Sequence, residues 1–270
     1  MQYLNLERMR QIDCLSFRER RPFPWANVQG FINDGGFRRL CGALPDISVF
    51  ERQTEGKTNY GDRYALQYRP GLQVPLQWLD FIAELEGAEY QDFLRRLFGL
   101  SPRQRIELTM HWHFAPRGFS LSPHVDASRK MGSHIFYLNT EGDWDPRWGG
   151  QTLVLDDGGR FAAKSRPNFR DLHEVAASEI LGNQSFIFQR NEHSWHGVRP
   201  LECPPDRLRK VFIVVVNRVN LQVLWRRLRG KDADGYPLRP KYTAPIGNSD
   251  RLPTLTQRRS HLQRGCGWRA

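Results

Sequence analysis

At Arg105 the hydrophobic period of this chain changes. Before it, apolar residues recur at spacings of three and four: Trp78, Phe81, Ile82 and Leu85, then, after Gly87, Phe93, Leu94, Leu97 and Phe98. That spacing lines one face of a helix and predicts two consecutive amphipathic helices, ended by Gly99 and Pro102. After Arg105 apolar and polar residues alternate, which is the period of strands. Candidate strands run over 105–114, 120–127, 133–139, 151–155, 159–164, 174–180, 184–190 and 210–218. Pro116-Arg117-Gly118, Gly149-Gly150, Asp157-Gly158-Gly159 and Gly182-Asn183 punctuate them as turns. Helices first and strands afterwards argue against an alternating βαβ fold. They predict a mainly β sandwich or jelly roll with helices packed on one face.

The flanks read less sharply. Phe23 to Ile32 is a candidate strand, and Asn33-Asp34 caps a helix containing Phe37, Leu40 and Leu44. Residues 45–63 are polar and loop-like, and Tyr64 to Tyr68 alternates as a strand would. Leu221 to Arg229 is a short basic helix candidate. The expected organisation is one domain over 1–220, with a helical part at 1–104 and a β core at 105–220. A basic, partly disordered extension follows at 221–270.

Charge and cysteine usage narrow the function classes. The net charge of +11 is uneven: residues 221–270 carry 11 Lys or Arg against 3 Asp or Glu, so the core is close to neutral. No RNA- or DNA-binding motif accompanies that charge, so a solvated tail is the reading and a nucleic-acid partner is not expected. Cys14, Cys41, Cys203 and Cys266 are scattered and form no CxxC, which argues against a disulfide framework or a zinc-thiolate site. No apolar run is long enough for a bilayer, and Met1 to Arg21 lacks the apolar stretch of a signal peptide. A cytoplasmic location is the expectation.

The chemistry-bearing segment is Ser122-Pro123-His124-Val125-Asp126. On a strand, residues two apart face the same way, so His124 and Asp126 project together while Val125 points to the opposite layer. An imidazole nitrogen and a carboxylate oxygen on one face can chelate a divalent cation. His196 is a candidate third ligand, with His193, three residues earlier, as the alternative. Two histidines and one carboxylate fill one face of an octahedron and leave three positions open. A closed zinc site would need a fourth protein ligand, usually a cysteine, and none is evident. Alone, the tripeptide is better read as a core or surface histidine that happens to stand beside an aspartate.

Its company is more specific. His124-Val-Asp126 is followed by Ile135-Phe-Tyr137-Leu-Asn139, Trp148-Gly149-Gly150-Gln-Thr-Leu153, Asn183-Gln-Ser-Phe186, His196-Gly197-Val198 and Arg209-Lys-Val-Phe-Ile-Val. Over about residues 105–218 this order resembles the prolyl-hydroxylase-like branch of the iron(II)/2-oxoglutarate-dependent oxygenases. The resemblance implies a double-stranded β-helix. It implies His124, Asp126 and His196 as iron ligands, and Arg209 as the partner of the distal carboxylate of 2-oxoglutarate, with Arg207 as runner-up. A guanidinium fork matches a carboxylate bidentately and keeps its charge when buried. Tyr137 is similar to a family tyrosine whose hydroxyl also reaches the co-substrate, though it reads equally as a half-buried strand aromatic.

The resemblance implies a dioxygenase that hydroxylates a small molecule or peptide with O₂, producing succinate and CO₂. Related halogenases lack the carboxylate ligand, so Asp126 implies oxygenation. Two departures limit any transfer of substrate. Phe114 stands where many relatives carry a tyrosine, so a contact from that position is lost or moved to His113. Pro200 to Pro205 lengthens the run from His196 to Arg209. His111 and His113, another same-face pair, read as lining the pocket or packing in the sheet. The rival readings are a cupin-like metal enzyme without 2-oxoglutarate, for which Arg209 has no task, and a non-catalytic binding module. A nucleic-acid demethylase is set aside for want of paired arginines in the last strands.

Overall fold

The computed structural model describes residues 1–54 and 61–233. The elements follow in chain order. The helical part holds α1 (Leu6–Gln11), α2 (Cys14–Glu19), β1 (Trp25–Gln29), α3 (Asp34–Gly42), β2 (Glu51–Gln53), β3 (Arg63–Gln67), α4 (Leu76–Glu86) and α5 (Ala88–Leu97). The β part holds β4 (Ile106–Ala115), β5 (Leu121–His124), β6 (Lys130–Tyr137), β7 (Leu153–Asp156), β8 (His173–Ala177), β9 (Gln184–Gln189), β10 (Trp195–Val198) and β11 (Arg209–Arg218), with α6 (Leu221–Leu228) after it.

Eleven strands form two antiparallel sheets. The larger has the order β1-β9-β6-β11-β4-β3-β2 and the smaller the order β5-β10-β7-β8. This is the mainly β, jelly-roll architecture that the sequence predicts. Strand alternation divides the core in two. Phe212, Val214 and Val216 of β11 face one way and meet the buried stripes of α4 and α5. Trp78 lies 5.2 Å from Trp112 and 5.0 Å from Phe212, and Phe81 lies 5.5 Å from Phe136, ring centre to ring centre. The alternate residues face the other sheet: Val211, Ile135, Tyr137, Phe186 and Phe188 pack with Val154 of β7 and Val198 of β10. Neighbouring strands keep this division in register. Val211, Ile213 and Val215 oppose His113, His111 and Thr109 on β4, and Tyr137, Ile135 and Ser133 on β6.

Several local expectations change. Two N-terminal helices form where none is expected, capped by Asn5 and Asp13, whose side chains accept from Arg8 N and from Leu15 and Ser16 N. The stretch 45–63 contains a short strand, β2, paired with β3. No strand forms over 159–164. The Asp157 carboxylate instead accepts from the amides of Gly159 and Phe161, folding that segment as a loop. The strand expected over 120–127 stops at His124, and a separate strand, β10, carries His196. Of the expected C-terminal extension, α6 is formed and residues 234–270 lie outside the described residues.

His134, fully buried on the helix-facing side of β6, lies with Nδ1 3.0 Å from the Tyr90 hydroxyl and its ring 4.5 Å from that of Phe31. Burial pushes its imidazole down to about 3. The folded residue stays neutral while the unfolded chain takes up a proton below about pH 6.5. Its share of stability is therefore full above that pH and is lost as pH falls toward 3, at about 1.4 kcal/mol per pH unit. Urea denaturation between about pH 6 and pH 4 is expected to show a slope flatter by that amount in His134→Gln. An unchanged slope would contradict the assignment.

Candidate metal centre

The site is built by a pairing of two short strands. β10 runs antiparallel to β5 with His196 directly opposite His124, and the two rings stand 4.3 Å apart. Asp126 follows two residues after His124, just past the end of β5. One potential ligand atom from each of His124, Asp126 and His196 lies within 4.8 Å of the others, and no other group of three or more His, Cys, Asp or Glu does so among the described residues. Gly197 makes the strand approach possible: a Cβ there would stand 2.7 Å from the Leu121 carbonyl oxygen. The glycine serves the strand contact beside the ligands.

Both imidazoles are oriented in the same way. Nδ1 of His124 lies 3.0 Å from the Ser122 carbonyl oxygen, and Nδ1 of His196 lies 2.9 Å from that of Ser194. A carbonyl can only accept, so Nδ1 carries the hydrogen and Nε2 keeps its lone pair for a metal. Burial, then the neighbouring His196, pushes His124 down to about 3, although Asp126 opposes the shift. Burial likewise lowers His196. Burial alone would raise the Asp126 carboxyl, but Lys130, His196 and His124 together hold it below the usual carboxylate range. At neutral pH the cluster is two neutral imidazoles and one carboxylate, the protonation state that a divalent cation requires.

Lys130 is a member of this site that the spacing of the ligands does not reveal. Its Nζ donates to Asp126 Oδ1 at 2.7 Å across a turn closed by the Lys130 amide on the Ala127 carbonyl. Ser133 Oγ approaches Asp126 Oδ2 at 3.4 Å, and Arg190 Nε donates to the Asp126 backbone carbonyl at 3.1 Å. The signal open to a reader of the sequence is only a lysine four residues after the aspartate.

A cavity of about 260 Å³ lies between the sheets and includes the triad and Arg209 in its wall. Arg209 is 6% exposed, and its Nε donates to the Gly150 carbonyl at 2.6 Å. Its guanidinium lies 5.6 Å from the centre of the Tyr137 ring. Burial lowers its pKa from the ordinary value, yet a guanidinium stays protonated at any physiological pH. No described carboxylate lies within ion-pair distance of it. Gly150, at φ 101°, explains the Gly149-Gly150 strand entry: a Cβ there would press on the Arg209 Cδ at 3.2 Å.

The remaining candidates separate cleanly. Tyr137 is buried rather than half-buried, and its hydroxyl lies 2.8 Å from Thr152 Oγ1 and 2.6 Å from Ser178 Oγ. That hydroxyl anchors the ring beneath Arg209. His193 is half-exposed, with Nδ1 3.4 Å from the Asp157 carboxylate and outside the cluster. Arg207 lies in the turn after Pro204, 3.9 Å from Asp206, and is not part of the cavity wall. His111 and His113 do line the cavity. Phe114 faces the helices and stacks on Phe50 at 4.5 Å, so no side chain at that position would reach the cavity from this face.

A sequence model described as the 2OG-Fe(II) oxygenase superfamily matches residues 110–215. No curated protein sequence matches the chain. Among solved structures, a prolyl-4-hydroxylase from Pseudomonas putida is 18% identical, with a TM-score of 0.52 over 76% of this chain and 98% of that one. A prolyl hydroxylase from Trichoplax adhaerens, solved with a hypoxia inducible factor peptide fragment, is 11% identical, with a TM-score of 0.55 over 79% and 90%. A 2OG-Fe(II) oxygenase family oxidoreductase from Burkholderia pseudomallei is 17% identical, with a TM-score of 0.51 over 78% and 93%. At these identities the structural likeness is one of fold. The sequence match falls on the strands that carry the His-Asp-His cluster and the buried arginine, and over residues 110–215 the chain is similar to the 2OG-Fe(II) oxygenase superfamily, whose cofactors are Fe(II) and 2-oxoglutarate.

Proposed function

We propose that this chain is an Fe(II)- and 2-oxoglutarate-dependent oxygenase that hydroxylates its substrate, with His124, Asp126 and His196 holding the iron and Arg209 holding the distal carboxylate of 2-oxoglutarate. One observation carries the reading. A single cavity contains a buried two-histidine, one-carboxylate cluster and a buried arginine with no described carboxylate beside it. A buried charge without a partner costs several kcal/mol, so such an arginine is held for an anionic ligand. The donor set also fits the metal: two imidazole Nε2 atoms and one carboxylate leave open positions for a chelating co-substrate and O₂. A cupin-like enzyme without 2-oxoglutarate would have no task for Arg209.

When bound, iron and 2-oxoglutarate supply the oxidising power, consuming O₂ to give succinate, CO₂ and a hydroxylated product. The chain's own work is placement. The Ser122 and Ser194 carbonyls fix the two histidine tautomers. Lys130 keeps Asp126 ionised before metal arrives. Gly150, and Tyr137 through Thr152 and Ser178, fix the guanidinium of Arg209 before the co-substrate arrives. Phe119, Leu121, Ile135, Phe188 and Val198 form an apolar wall that excludes water from the reacting centre.

Two measurements bear on these roles. Mn(II) binding, followed by electron paramagnetic resonance, is expected to weaken by about 100-fold or more in Asp126→Ala and His196→Ala, since outer contacts alone are worth 10–100-fold. His193→Ala is expected to bind as the wild type does; a large loss there, with His196→Ala unaffected, would exchange the two histidines. Separately, Fe(II) with 2-oxoglutarate under anaerobic conditions is expected to give a weak visible charge-transfer band. Arg209→Gln should require at least about tenfold more 2-oxoglutarate to develop it, with Fe(II) binding intact, while Arg207→Gln should not. Equal behaviour of the two variants would remove Arg209 from the co-substrate site.

A further inference from the structure

We propose that α6 is a docking surface for an anionic lipid membrane. Its apolar stripe of Leu221, Leu224, Trp225 and Leu228 enters the lipid interface, and the arginines beside the stripe meet acidic headgroups.

Spacing makes the stripe. Leu221, Leu224, Trp225 and Leu228 stand at i, i+3, i+4 and i+7, which places all four on one face of a helix about 12 Å long. Such a face is ordinarily the buried one. Here the order is reversed: the four side chains are 85%, 44%, 56% and 81% exposed, while Val223, on the opposite side of the helix, is wholly buried. The other large apolar side chains exposed among the described residues are Met1, Leu15, Val49, Leu76 and Val175, and each stands on a separate segment. Single exposed residues of that kind are normal on any protein surface, whereas a contiguous stripe marks a contact.

The helix is fastened on its inner side, so the stripe is held outward. Asn220 caps it, accepting from the Val223 amide at 3.0 Å. Arg227 pairs with Glu107 of β4 at 2.7 Å, and Arg226 Nη1 donates to the Ala233 carbonyl at 2.6 Å. At about 3.6 residues per turn, Arg227 and Arg229 fall on the two shoulders of the stripe. The Arg229 guanidinium lies 4.6 Å from the centre of the Trp225 ring. A tryptophan at the boundary between an apolar face and a guanidinium suits a membrane interface, where the ring sits at headgroup level and the arginine stem runs along the apolar surface. No helix among the described residues is long and apolar enough to cross a membrane, so the contact is a surface one.

Charge selects the occupant. Residues 221–233 carry Arg226, Arg227, Arg229 and Lys231 against Asp232. A second copy would set this basic surround against itself, and four side chains fall short of the about 800 Å² per partner that a stable dimer buries. The chain after Ala233 is no better matched to the stripe: residues 234–270 hold seven Lys or Arg against two Asp. An acidic bilayer complements both parts at once, taking the stripe into its interface and the basic residues onto its phosphates and carboxylates. A stripe that faces straight out needs only a flat, deformable surface, whereas a protein partner would have to supply a groove.

The test uses the full chain in sedimentation with vesicles of phosphatidylcholine and phosphatidylserine at about three to one, and with vesicles of phosphatidylcholine alone. The wild type is expected to bind the acidic vesicles at least about tenfold more tightly than the neutral ones, and less tightly as salt is raised. Leu224→Ser combined with Leu228→Ser should weaken binding to acidic vesicles by about tenfold or more, and Arg229→Gln by about fivefold. Thermal unfolding checks that these variants are folded. Should the double variant not fold, Leu228→Ser alone, at a position 81% exposed, supports the proposal with a loss of at least about threefold. The proposal is overturned by no binding of the wild type to acidic vesicles or by equal binding to both kinds. Unchanged binding in the leucine variants also overturns it and assigns the contact to basic residues beyond α6. A wild-type dimer in light scattering that the leucine variants abolish overturns it too, and gives the stripe to a second copy.

Discussion

The pairing of His196 with His124 across β10 and β5 is the contact on which the rest of the site depends. Two strands of four residues each bring together ligands that are far apart in sequence. A slip of one residue would turn an imidazole to the opposite face. The register is held from both sides: Gly197 permits the close approach to Leu121, and β7 pairs with the other edge of β10 through Trp195, His196 and Gly197. The larger sheet, stiffened by the aromatic seam of Trp78, Trp112 and Phe212, provides the opposing wall.

Burial then sets the electrostatics. The same desolvation that keeps His124 and His196 neutral also lowers Arg209, yet the guanidinium keeps its charge. One environment thus gives two protonation states, and they follow from ordinary pKa values: imidazole lies close enough to neutrality to lose its proton, and guanidinium does not. Asp126 is the exception that the cations around it create. On the proposed reading, the outcome is a pocket arranged for a divalent cation and dianionic co-substrate together.

Much of this was legible in the sequence because it is local. The period change at Arg105 separates the helical layer from the sheets. His124 and Asp126 share a side because they are two residues apart on extended chain. Gly149-Gly150 marks the strand entry against which Arg209 lies, and the alternation of Val211 to Val216 splits the core between two faces. What escaped is nonlocal or too short to have a period. Arg63 reaches the cavity wall only because β3 pairs with β4 in one register. β10 has four residues, Trp195 to Val198, all buried, and so shows no alternation. The stretch 159–164 has the residues of a strand, but Asp157 offers its amides a better set of acceptors. The two N-terminal helices carried readable capping residues in Asn5 and Asp13, but each is a six-residue helix with little apolar stripe behind the cap.

Crystals grown with Mn(II) and 2-oxoglutarate, with data collected at the manganese absorption edge, bear on the central claim most directly. The account predicts one anomalous peak bonded to His124 Nε2, a carboxylate oxygen of Asp126 and His196 Nε2, with 2-oxoglutarate chelating that ion and its far carboxylate on Arg209. A peak bonded to a different residue set, a fourth protein ligand closing the site, or a co-substrate carboxylate bound away from Arg209 would contradict it.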